Sequence, residues 1–182
     1  MPKIATWDFI TIALGTTLLS CALGIAVDLV TANIAVEYFT VHHPKVVDSQ
    51  SPWVMAFVWG IGASWWAGAI AGALLAWFHM RLKFRLEPRR VLRMVAIACG
   101  AIWLTMMVIL LTVYGVGGLV PESSRRPSFE QDRRLMAVAV AHLGEYAIAA
   151  IAMIWVAIRM RIVIGKSDSR SDVGGEIGPT QK

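Results

Sequence analysis

Charge segregation constrains the fold of this chain more than any other feature. Most Lys, Arg, Asp and Glu residues gather at 81–93, 121–134 and 159–182, and long apolar stretches separate these clusters. Four stretches, at approximately 9–30, 53–80, 94–119 and 135–158, are long enough to carry a helix across about 30 Å of hydrocarbon at about 1.5 Å per residue. Hydrocarbon offers the backbone no water, so only helices and closed barrels satisfy it there. The stretches lack the period-two alternation of barrel strands and are read as four transmembrane helices. Charged residues make up 16% of the chain, against roughly 25% in a soluble domain, and a soluble chain of this size could not hide the apolar remainder.

Lys and Arg near the span ends set the orientation. The link between spans two and three, "RLKFRLEPRRVLR", carries six basic residues, and Arg159, Arg161, Lys166 and Arg170 follow span four. On the opposite side Arg125, Arg126, Arg133 and Arg134 are diluted by Glu122, Glu130 and Asp132. Both termini are therefore expected in the cytoplasm, with the basic loop against anionic headgroups of a bacterial inner membrane. The basic residues show no recognition motif and no interleaved aromatics outside the membrane, which argues against nucleic acid as a partner.

The organisation expected is an all-α, up-down four-helix bundle over residues 1–164, followed by a disordered cytoplasmic tail over 165–182, which is polar and rich in Gly and Ser. "LLSC" at 18–21 resembles a lipoprotein cleavage box, but the apolar run continues through "ALGIAV", so span one is kept. Cys21 and Cys99 differ in depth by roughly 10 Å at 1.5 Å per residue, too far for a disulfide. Ser128, with Gln131 three residues on, matches a capping box for span four. Span two carries a small-residue stripe, Gly60, Ser64, Gly68 and Gly72, which allows close helix approach either within the chain or at a homo- or hetero-oligomer seam.

Ionisable residues inside spans are rare and costly, and they mark candidate sites. Asp28 lies near the outer end of span one. His142 and Glu145 share a face of span four, with Tyr146 on the same side. The link after span one, "VTANIAVEYFTVHHPK", adds Glu37, Tyr38, His42 and His43 at the same level, and the sequence leaves open whether residues 31–45 are helical. These groups suggest an outward-facing polar pocket that binds a divalent metal or passes protons or a small solute. His142, Glu145, His43 and Glu37 supply nitrogen and oxygen donors suited to zinc, iron or manganese. The plainer readings are a His142–Glu145 pair satisfied within its own helix, a solvated loop at His42 and His43, and Asp28 capping the segment that follows. His79 sits at the far end of span two from His142, which disfavours a haem held by the two. No nucleophile elbow or phosphate-binding glycine motif is present. The competing function is a structural or assembly subunit that docks a partner on the stripe of span two.

The element D-x-x-T…E-Y-F-T-x-x-H-P, from Asp28 to Pro44, resembles that of an uncharacterised group of small bacterial multi-span membrane proteins, with a likeness covering about the first 75 residues. The resemblance marks Asp28, Thr31, Glu37, Tyr38, Phe39, Thr40, His43 and Pro44 as its signature, with Trp59, Gly60, Trp65 and Trp66 in span two. Leu29 and the doubled histidine depart from that pattern. The resemblance implies a multi-span helical fold and no particular activity.

Overall fold

The computed structural model describes residues 3–82 and 86–174, with side chains described over 6–82 and 86–164. The described residues form long helix α1 (Lys3–Ile34), short helix α2 (Val36–Thr40), long helices α3 (Pro52–Arg81) and α4 (Pro88–Gly118), a 3₁₀ turn at Glu122–Ser124, and long helix α5 (Phe129–Gly174). Each of the four long helices contains a segment long and apolar enough to cross a membrane. Pro52 and Pro88 stand at the first helical positions of α3 and α4, where the missing N–H would be unpaired in any case.

The helices overrun the expected spans at most of their ends. The largest overrun is in α5, which continues to Gly174, into the stretch expected as a disordered tail. Extending an existing helix costs far less than nucleating one, and after Gly165 the next glycines are Gly174 and Gly175. The remainder of that tail, 175–182, lies outside the described residues, as do Lys83 and Arg85 of the basic loop.

Neighbouring long helices alternate in direction. Gly24, Ser20 and Ala13 of α1 lie against Gly60, Gly68 and Gly72 of α3, so these two helices are antiparallel. Gly144 of α5 meets Ile109 of α4, and Gly117 meets Arg133, again antiparallel. Helices α1 and α4 run the same way: Gly15 lies beside Leu92, and the Trp103 indole N–H donates to the Ala26 carbonyl at 3.4 Å. The start of α1 and the end of α5 thus share one end of the bundle.

The stripe of span two faces inward. A Cβ on Gly60 would lie 2.6 Å from the backbone of Ile25, and one on Gly72 would lie 2.6 Å from the Ala13 carbonyl oxygen. Backbone meets backbone here, so no side chain can swing aside. The seam is filled by α1 of the same chain.

Two apolar clusters fill the bundle. One, at the end with the basic loop, includes Ile12, Leu75, Val91 and Met160; the other includes Val27, Ile102, Met106 and Val138. A third, smaller cluster of Ala32, Phe39 and Met55 lies under α2. Outside the bundle, large side chains such as Leu18, Trp65, Leu111 and Leu143 are exposed.

Candidate functional site

Asp28 lies inside α1, nearly two turns before its end at Ile34, and does not cap the segment that follows. Its buried carboxylate crosses the bundle to α5: His142 Nε2 and Asp28 Oδ1 are 2.9 Å apart. The other ring nitrogen, Nδ1, donates to the Val138 carbonyl at 2.9 Å, one turn earlier in α5. A carbonyl can only accept, so Nδ1 carries hydrogen, and a single proton occupies the contact between Nε2 and Oδ1. This pairing corrects the expected His142–Glu145 pair. Residues three apart share a helix face but not necessarily a bond, and the imidazole finds a better-aligned acceptor on α1.

The chain breaks between α1 and α2 at Ala35, which leaves the helical region at φ −148°, ψ 80°. Alanine is the best helix former, so local preference does not cause this break. Packing does: Ala35 and Phe39 are both buried, Phe39 beside Ala32 and Met55, and the turn is what lets α2 drop its aromatic face onto the bundle. Residues 31–45 are thus partly helical, with a non-helical end.

That face forms a cap over His142. The rings of Tyr38 and Phe39 lie 5.1 and 5.8 Å from the imidazole, centroid to centroid. His43 packs against Tyr38 at 4.8 Å and Trp59 at 4.7 Å, and its Nδ1–H donates to the Tyr38 carbonyl at 2.8 Å. Burial pushes the Tyr38 phenol above its ordinary value, with the Tyr146 and Asp28 charges adding to the shift, so the ring is neutral across the physiological range. His43 is therefore a structural part of the cap.

Two other expected site residues lie apart. His42 is exposed. Glu37 faces Arg134 of α5 at 3.7 Å, a tether between α2 and α5 on the rim. Among the described residues, no group of three or more His, Cys, Asp and Glu is gathered as a metal site would need. The four expected ligands are divided: Glu37 is turned to Arg134 and His43 to the Tyr38 carbonyl, while only His142 and Glu145 border a common space.

That space is a cavity of about 140 Å³ bounded by all four long helices. An engineered apolar cavity of about 150 Å³ takes up benzene, so this one has room for a ligand of about that size. Asp28, His142, Glu145 and Tyr146 form its polar end, below the aromatic cap. Alanines 63, 67 and 71 of α3 and Ala149 of α5 make much of its wall. The small residues that permit close packing on one side of α3 thus leave room on the adjoining side. Cys99, a free thiol like Cys21, also borders the cavity.

Sequence reasoning missed Cys99, as well as the four-residue spacing of Thr16, Ser20, Gly24 and Asp28 on α1. That spacing was a usable signal, because it places Asp28 on the side of α1 that faces the bundle. His79 is fully buried at the other end, where its Nε2–H donates to the Leu86 carbonyl at 2.9 Å and ties down the link to α4. Ser128 does precede α5, but its hydroxyl donates to the Asp132 carboxylate at 2.8 Å, so the expected capping box is not formed.

Protein-family models, curated proteins and solved structures give no match to the chain.

Proposed function

We propose that the chain is a multi-pass membrane protein that holds a small solute in its central cavity, against the polar end made by Asp28, His142 and Glu145. One observation carries this reading: the contact between buried Asp28 of α1 and half-buried His142 of α5 closes one end of a cavity whose remaining wall is mostly small and apolar. Ionisable groups at such depth are expensive and face bundle interiors or water-filled cavities where they serve a task. A pocket of this kind, apolar with a few convergent polar groups, is the usual form of a small-molecule site.

Membrane insertion is supported by the outward-facing Leu, Ile and Trp side chains, an arrangement opposite to that of a soluble bundle. Arg81, Arg89, Arg90 and Arg93 share one end of the bundle with Arg159 and Arg161. The guanidinium of Arg81 lies over Trp77, and that of Arg159 over Trp155, which suits a headgroup interface. Both termini are then cytoplasmic, α2 faces outward, and a bacterial inner membrane agrees with the resemblance of the Asp28–Pro44 element.

The reading is tested by native mass spectrometry of protein released gently from detergent, comparing the wild type with Ala149→Phe, which fills the cavity. A small-molecule adduct carried by the wild type and absent from the variant is expected. An adduct carried equally by both, or by neither, contradicts the proposal.

A further inference from the structure

The charge balance around the cavity points to the class of solute, and this step rests on the binding reading above. Two carboxyl groups border the polar end, Asp28 and Glu145, and among the described residues the only basic group there is His142, with no described Lys or Arg lining the cavity. His142 is engaged with Asp28. Glu145 accepts no hydrogen bond among the described residues, and its charged or ionisable neighbours are His142, Asp28, Cys99 and Tyr146. With all three principal groups ionised, the polar end carries one negative charge more than it balances. An uncompensated carboxylate among apolar walls is costly, and a ligand that brings the missing positive charge removes that cost.

The route in is also visible. Tyr146 borders the cavity, and 51% of its surface is exposed. A side chain with both properties stands at an opening. The Tyr146 hydroxyl has no hydrogen-bond partner among the described residues, and its ring offers a cation a favourable face. Tyr146 lies well inside the apolar part of α5, so the opening lies on the flank of the bundle. The cap of Tyr38 and Phe39 covers the polar end from above.

We infer that the cavity takes a small monovalent organic cation with an apolar body, which enters from the bilayer past Tyr146 and places its charge beside Glu145. A cavity of about 140 Å³, close to the roughly 150 Å³ that takes up benzene in an engineered apolar cavity, admits a cation of about six heavy atoms.

The test compares cyclopentylammonium with methylcyclopentane, its uncharged carbon isostere, by the rise in melting temperature each gives purified protein in a neutral detergent. The expected result is an affinity for the cation at least about tenfold above that for the isostere, a gap of about 1.4 kcal/mol, with the ratio falling towards one in Glu145→Gln. Binding of the isostere as tight as that of the cation in the wild type overturns the charge assignment and leaves the cavity reading standing. No stabilisation by either compound removes both. An unchanged preference for the cation in Glu145→Gln overturns the role given to Glu145, and the wild-type comparison stands even if that variant fails to fold.

Discussion

The same residue type plays three parts in this chain, and its neighbours decide which. His142 joins helices, His43 pins a cap, and His79 ties a loop, each through a nitrogen held 2.8–2.9 Å from an oxygen. Only His142 also borders the cavity. Glu37 and Asp28 differ in the same way: one carboxylate is on the rim, 3.7 Å from an arginine, and the other is buried against an imidazole. Glu37→Gln should therefore change the unfolding free energy in detergent by less than about 1 kcal/mol, as for exposed ion pairs generally. His142→Ala should cost more, about 3–5 kcal/mol if it strands the Asp28 charge. Thermal or chemical unfolding of the two variants side by side decides between these expectations, and equal losses would mean that burial does not separate them.

At the scale of elements, the α1–α3 seam is set by glycine and the cap by tertiary packing. Gly60→Leu should destabilise by about 1–3 kcal/mol or more, because the added atoms meet the backbone of Ile25 and the helices must part. Gly62, two residues on, has nothing within 4 Å of a built Cβ, so Gly62→Ala should be neutral or stabilise by up to about 1 kcal/mol. Unfolding of the two variants checks the pair, and an oligomer lost without loss of fold in Gly60→Leu would place the seam between chains instead. For α2, Phe39→Ala should cost about 3–5 kcal/mol and speed hydrogen exchange across residues 36–40, as Phe39 holds this short helix down.

For the whole molecule, the parts legible in the sequence were those written in local pattern. Four apolar stretches gave four long helices, the glycine spacing of span two gave a close seam, and Asp28, His142 and Glu145 did converge. What the pattern could not supply was partner choice. His142 sits three residues from Glu145 and 114 from Asp28, yet it bonds to Asp28, since helix rotation and packing angle select the partner and neither is encoded in spacing. The break at Ala35 was hidden for a similar reason, because a good helix former stops a helix only when packing beyond it demands a turn. The extension of α5 to Gly174 is not legible in polar composition, because continuing an existing helix costs little.

The contact between α1 and α5 at Asp28 and His142 is the point on which cavity, cap and proposed ligand all depend. A double-mutant cycle with Asp28→Ala, His142→Ala and the double variant, followed by unfolding in detergent, measures it directly. The two losses are expected not to be additive, with a coupling of about 1–3 kcal/mol between the residues. Losses that add to within about 0.5 kcal/mol would mean that the pair does not exist in the folded protein, and would contradict the account at its centre.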